Sequence, residues 1–353
     1  MLSDSQKVIF VTGGTGLIGG ELSIRLASRG HNVYLLTRAY SQNHAKQRIA
    51  NRFHRSDVVV PENVYPVCGD ICSPDLGLSI ADKAFLKEKC ELVVHAAGET
   101  AFNKVDSCFS VNAKGARNVR RVLEEWNNLQ KTMYISTSSV NCESSCRFIE
   151  ENSVINGYSN GYTRSKRKAE KEFVNSDLDF IIVRPSIVLA EGLQDRKFAR
   201  EILWCIPIMF ELGEVPFCAD CRVDIVPVSY VVECIIGLLN TNTKHRCYHI
   251  SSGENGYAIC GDIYEFIQNH EHQRRIDFAS KSTWNKPKHR HRYLMKALNY
   301  YIPFIESDLV YSNKRLKSEL KDNTPKCPAL KEYVLDMLRL IKREEAFSES
   351  RLP

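Results

Sequence analysis

One stretch near the start, KVIFVTGGTGLIGG over residues 7–20, limits what this chain can fold into more than any other. Lys7–Thr12 is an apolar, β-branched run and predicts a buried strand. It leads directly into glycines at 13, 16 and 19, and a helical pattern then runs to about Arg29. Gly13 permits a tight turn, Gly16 lets backbone approach a pyrophosphate, and Gly19 lets the helix pack close to the strand. Phosphates would rest on the N–H groups at the positive end of that helix. A glycine turn with no ligand is the alternative, but the strand before it and the helix after it favour a nucleotide.

Further short apolar runs follow at Asn32–Thr37, Val64–Val67, Glu91–His95, Lys131–Ser136 and Asp179–Arg184, with helical patterns between them, notably Asn112–Trp126 and Tyr162–Asn175. This alternation predicts an α/β fold, a Rossmann-like doubly wound parallel sheet covered on both faces. After Pro185 the rhythm changes. Helices are expected at Phe198–Glu211, Ser229–Leu239, Cys260–His270 and Pro328–Arg343, and strands at Arg222–Val228 and Cys247–Ser251. The expected division is a dinucleotide-binding domain over 1–190, with 222–252 returning to it, and a smaller, mostly helical C-terminal substrate lobe over 191–353.

Composition narrows the class. The 353 residues are 43% hydrophobic and 25% charged, which excludes disordered and low-complexity chains. A net charge of +6, spread along the chain, gives no case for nucleic acid. Thirteen irregularly spaced cysteines make a poor disulfide framework, so free thiols and a cytoplasmic location are expected. Met1–Lys7 is polar rather than a signal peptide, and no apolar run approaches the roughly 18 residues of an integral membrane segment.

The second strand ends Leu36-Thr37-Arg38. A carboxylate there would suit an unphosphorylated ribose, whereas a guanidinium can hold a 2′-phosphate. Arg38, with Lys46 and Arg48 adding charge, therefore favours NADPH over NADH. Asp70 can accept from an adenine amino group or simply form a turn. His95-Ala96-Ala97-Gly98 closes the fourth strand with small residues that let backbone lie against a cofactor, and His95 itself reads as a packed side chain.

In Tyr162-Thr-Arg-Ser-Lys166, positions i and i+4 share one helix face. A free phenol, with a pKa of about 10, is a poor acid at neutral pH. A neighbouring ammonium favours its ionised form, which would let Tyr162 pass a proton to a carbonyl oxygen. Ser136-Thr137-Ser138-Ser139 ends the fifth strand, and chemistry in open parallel sheets sits beyond strand carboxyl ends. Several hydroxyls there compete to bind the substrate oxygen.

TGGTGLIGG, GD, HAAG, Asn112-x-x-Gly115, STSS, YTRSK and RPS, in this order, resemble the extended short-chain dehydrogenase/reductase family from about residue 7 to 260. Ile182–Ile187, Val223–Val228 and Cys327–Tyr333 resemble its fatty acyl-CoA reductase and thioester reductase branch, although Ser229 stands where that branch often has Asp. The resemblance implies catalytic Thr137, Tyr162 and Lys166, with Thr137 preferred to Ser138 on the register of Val140 against related patterns. The implied cofactor contacts are Gly13, Thr15, Gly16, Leu17, Ile18, Arg38, Asp70, Ile71, Ala96, Ala97, Gly98, Asn112, Lys166, Pro185 and Ser186. Asn112 would hold the lysine geometry, or else cap a helix. The implied reaction is NADPH-dependent reduction of an acyl thioester, on coenzyme A or a carrier protein, to an aldehyde or alcohol. Within the family the alternative is a sugar-nucleotide epimerase or dehydratase, or a hydroxysteroid-type carbonyl reductase; from another class, a nucleotide-binding protein without catalysis.

Other features carry less. Cys218-x-x-Cys221 lacks a second pair, so no metal is expected. The Lys286–Arg292 run can bind carrier phosphates or be a solvated charge run. Ile202–Phe210 can line an acyl tunnel but reads first as a core helix. A homodimer is expected only as the commonest assembly.

Overall fold

The computed structural model describes residues 6–141, 148–152, 160–190, 205–215, 217–271, 275–278 and 302–339. The first five apolar runs form strands β1 (Val8–Thr12), β2 (Asn32–Thr37), β3 (Val64–Cys68), β4 (Leu92–His95) and β5 (Lys131–Ile135). Phe180–Pro185 and Cys247–Ile250 complete a seven-stranded sheet, ordered Cys247–Ile250, Phe180–Pro185, β5, β4, β1, β2, β3. Every neighbouring pair in it is parallel. The fold is therefore the doubly wound α/β sheet that the alternation predicts. β1 lies between β2 and β4, with Val11 opposite both Leu35 and Val94. The chain leaves β1 toward one edge and returns beyond it at β4, so the β1–β4 junction is the switch point where such sheets open a crevice.

Successive side chains of β1 enter opposite cores, as a strand's period of two requires. Ile9 and Val11 pack under the helices Leu17–Ser28, Gln42–His54 and Val228–Leu239. Phe10 joins the other face, beneath Gly115–Leu123 and Gly161–Val174. Each such side chain removed fully from water contributes roughly 1.5–3 kcal/mol. A separate apolar cluster, including Met209, Phe210, Phe217, Tyr264 and Val334, forms the core of the C-terminal part.

Three expectations need correction. The helix expected from Asn112 opens instead as a π-helical turn, Phe109–Lys114, before Gly115–Leu123. The strand expected over Arg222–Val228 is broken at Asp224. Arg222–Val223 pairs antiparallel with Ala258–Ile259, while Ile225–Pro227 pairs parallel with Ile187–Leu189. The break has a cause: the buried Asp224 carboxylate accepts from the Ser252 N–H and hydroxyl, both at 2.9 Å. The amphipathic tail is a short turn, Leu330–Glu332, followed by the helix Val334–Arg339.

Cys221 packs in the C-terminal core, and its carbonyl accepts from the Cys260 N–H at 2.9 Å. Of the proposed tunnel stretch, Cys205–Leu212 is helical and buries Met209 and Phe210 in that core. Residues 202–204 and the Lys286–Arg292 run lie outside the described residues. Among the described residues no helix is long and apolar enough to cross a membrane.

Candidate active site

The loop after β1 needs its glycines. Gly13 has φ +75°, and a Cβ there would lie 2.6 Å from the Ala97 backbone nitrogen. A Cβ on Gly19 would lie 2.4 Å from the Gly13 carbonyl oxygen. The helix Leu17–Ser28 begins at Gly16, which offers no capping side chain, so the N–H groups of Thr15, Leu17 and Ile18 surround an open helix start. The helix start, the backbone-only cradle and the crevice at β1–β4 together fit a dinucleotide pyrophosphate.

Two residues supporting this loop are not singled out by the sequence reading. Arg52 is 3% exposed and donates from Nε to the Gly16 carbonyl at 3.1 Å. A Cβ on Gly20 would lie 2.2 Å from that Nε. The signal was present: Arg52 falls on the buried stripe of its helix with Ala45, Ile49 and Phe53, an unusual place for a guanidinium.

Arg38 is exposed immediately beyond β2, and its carbonyl accepts from Arg48 Nη1 at 2.5 Å. Lys46 is exposed on the same helix as Arg48. Asp70, beyond β3, forms a turn: its Oδ1 accepts from the Cys72 N–H at 2.9 Å. Ile71 is buried against Gly115, where a Cβ would lie 2.7 Å from Ile71 Cδ1. His95 is fully buried, and its Nδ1 and the Thr12 hydroxyl are 2.7 Å apart. Burial, with Lys166 nearby, pushes its imidazole down to about 3, so the ring stays neutral. Ala97 follows, its N–H donating to the Thr12 hydroxyl at 3.2 Å.

Tyr162 and Lys166 lie one turn apart on the helix Gly161–Val174. Asn160 starts that helix by accepting from the Thr163 N–H at 2.9 Å, and the Thr163 hydroxyl accepts in return from the Asn160 N–H. The Tyr162 ring packs 5.4 Å from that of Phe102. Lys166 is buried, and its Nζ donates to the Ile135 carbonyl at the end of β5 at 2.9 Å. Burial pushes its ammonium down to about 8, partly opposed by Glu170. A Cβ on Gly98 would lie 3.1 Å from both Lys166 Nζ and Asn112 Oδ1, so backbone, amide and ammonium converge there.

Asn112 does not cap a helix. It sits inside the π-helical turn, where its Oδ1 accepts from the Glu99 N–H at 2.8 Å. Its Nδ2 donates to the Glu99 carbonyl at 3.0 Å and to the Ser165 hydroxyl at 2.9 Å. It thus ties the segment after β4 to the helix that carries Tyr162 and Lys166. A π-turn at such a place often marks a functional site.

Among the hydroxyls after β5, Ser136 donates to Glu170 Oε1 at 2.7 Å. Thr137 is nearly buried, and its oxygen accepts from the Ser139 N–H at 3.2 Å. Pro185 ends the neighbouring strand and Ser186 follows it, its N–H donating to the Ile250 carbonyl at 3.0 Å. All these residues lie at the carboxyl end of the sheet. Residues around Gly13, Gly98, Thr137 and Lys166 cluster over β1, β4 and β5. Arg38 and Asp70 lie toward the β3 edge, and Pro185 and Ser186 toward the opposite edge.

Beneath the lysine lies a network that the sequence reading missed. Glu170, one turn beyond Lys166, accepts from Arg184 Nε and Nη2, both at 2.8 Å, and from Arg167 Nη1 at 2.9 Å. Burial alone would raise the Glu170 carboxyl. The Arg184 guanidinium, with Ser136 and Arg167, outweighs it and holds the carboxyl below its ordinary value.

The NAD-binding family model described as "Male sterility protein" matches residues 11–235. The chain is 27% identical over 226 residues to "Fatty acyl-CoA reductase wat" of Drosophila melanogaster, covering 52% of this chain and 43% of that protein. It is 26% identical over 259 residues to "NRPS-like oxidoreductase fscA" of Fusarium equiseti, covering 69% of this chain and 24% of that protein. The chain thus spans less than half the length of these two relatives. Among solved structures, the terminal R domain from the myxalamid PKS-NRPS biosynthetic pathway superposes with a TM-score of 0.79 at 20% identity, over 96% of this chain and 92% of that one. The UDP-glucuronic acid 4-epimerase from Bacillus cereus superposes with a TM-score of 0.66 at 15% identity, over 96% and 98%. These two likenesses speak to the fold. The family model, which covers more than half of the chain, shows that the chain belongs to the male sterility protein family.

Proposed function

We propose that this chain reduces an acyl thioester, on coenzyme A or a carrier protein, with NADPH as hydride donor. The observation that carries the reading is the convergence at Gly98: a buried ammonium, one helical turn from Tyr162, held between the ends of β4 and β5. The name of the Drosophila melanogaster relative, a fatty acyl-CoA reductase, points to acyl thioesters among the carbonyl compounds such a site can serve. A UDP-glucuronic acid 4-epimerase shares this fold, but the solved R domain superposes better.

NADPH, when bound, supplies the hydride to the carbonyl carbon. Tyr162 donates a proton to the developing oxyanion, and Thr137 donates a hydrogen bond to it. Lys166 stabilises the ionised phenol that remains. The resulting hemithioacetal loses its C–S bond, the thiolate takes a proton, and the C=O bond reforms as the aldehyde. Asn112 holds the lysine-bearing helix in place. Arg38 selects the 2′-phosphate.

NADPH oxidation is expected with acyl thioesters and to be much weaker with NADH. Arg38→Asp should erode that preference by about tenfold or more, since a carboxylate repels the 2′-phosphate. No oxidation with any thioester would refute the function; an unchanged preference would refute the role of Arg38.

A further inference from the structure

Away from Tyr162 and Lys166, a cavity of about 680 Å³ opens beside Ser252, just beyond the edge strand Cys247–Ile250. Its lining is strongly basic. Lys314 and Lys317 lie one turn apart on the helix Lys314–Leu320, Lys321 follows at its C-terminal end, and Lys326 joins them from the following loop. The one acidic residue in the lining, Glu254, pairs with Lys314 at 2.8 Å. Among the described residues no carboxylate pairs with Lys317, Lys321 or Lys326. Lys321 has φ +50° and ψ −125°, a conformation that a side-chain-bearing residue adopts only where its surroundings impose it. Like charges gathered around one concavity raise the local concentration of anions. The volume lies within the range of small-molecule sites.

The cavity's place relates it to the reaction. The sheet is parallel, so the end of Cys247–Ile250 and the end of β5 are on the same side. They are two strand spacings apart, roughly 10 Å. A pantetheine arm with its two amide units crosses such a span. We propose that this lysine-lined cavity seats the phosphate end of the substrate's pantetheine carrier while the thioester lies over β5. The proposal rests on the thioester reading above and adds to it the part of the substrate that is recognised. Its shared chemistry is a phosphate on pantetheine, supplied either by the nucleotide head of coenzyme A or by the 4′-phosphate common to coenzyme A and phosphopantetheine.

The test pairs a double charge reversal, Lys317→Glu with Lys321→Glu, with two readouts. Both lysines are exposed, and unchanged NADPH affinity reports an intact fold. First, free coenzyme A is titrated into protein saturated with NADP+, so that the dinucleotide site is filled. The wild type is expected to bind in a salt-dependent manner, and the variant about tenfold or more weakly. Second, KM is compared for acyl-coenzyme A, acyl-phosphopantetheine and acyl-pantetheine. A rise confined to the coenzyme A ester assigns the cavity to the nucleotide phosphates. An equal rise for the two phosphorylated esters assigns it to the 4′-phosphate. In both cases acyl-pantetheine, which has no phosphate, is unaffected. Equal coenzyme A binding in wild type and variant would overturn the proposal, even with thioester reduction intact. Lysine-dependent binding without reduction of any thioester would keep the cavity's role and refute the reaction.

Discussion

Tyr162→Phe is expected to lower kcat by about 10²–10⁴-fold, the usual contribution of a positioned acid or base, while NADPH still binds. The variant removes one hydroxyl and keeps the ring, which packs against Phe102. The helix start at Asn160 and the Lys166 bond to the Ile135 carbonyl do not involve the lost atom, so both should persist. The pH profile supplies a second reading of the same site. Lys166 titrates at about 8 because burial disfavours its charge. The ammonium is present below that pH and lost above it, so wild-type kcat/KM should fall as pH rises through about 8. Equal turnover in wild type and variant would remove Tyr162 from the chemistry, and a profile flat well above 8 would remove the charged lysine.

Glu170→Ala should be the most damaging substitution outside the reacting groups. It leaves the Arg184 guanidinium, which is 4% exposed, without the carboxylate that binds it through two hydrogen bonds. Removing one partner of a buried pair costs about 3–5 kcal/mol, because the other charge stays buried. The Ser136 hydroxyl also loses its acceptor. The shift in the denaturant midpoint measures this, and a loss below about 1 kcal/mol would show that the pair relaxes into solvent. Protonation probes the same carboxylate. Its folded-state pKa is held below the ordinary value. The stabilisation is therefore complete above the unfolded carboxyl's pKa and is lost as pH falls through the folded one. Glu170→Gln should abolish that acid dependence.

The parallel sheet was legible because doubly buried strands read as short apolar runs between helical patterns. Val8–Thr12, Asn32–Thr37 and Cys247–Ile250 coincide with such runs to within a residue. The glycine loop was legible because Gly13 and Gly19 have no substitute where backbone passes within 3 Å. The π-turn was not, since one extra residue per turn leaves the apolar pattern of Asn112–Trp126 nearly unchanged. The break at Asp224 was hidden because its partner, Ser252, lies 28 residues away. Glu170 stood in plain view at Lys166 plus four, but its pairing with Arg184 depends on β5 lying beside Phe180–Pro185, which local pattern does not specify.

The proposed reaction transfers hydride to a thioester carbonyl and releases a thiol. The most direct measurement follows NADPH oxidation and free thiol together after mixing the protein with an acyl-coenzyme A. Both should change in proportion, with one NADPH consumed per thiol freed for an aldehyde product and two for an alcohol. NADPH oxidation without thiol release, or no oxidation by protein that binds NADPH, would contradict it.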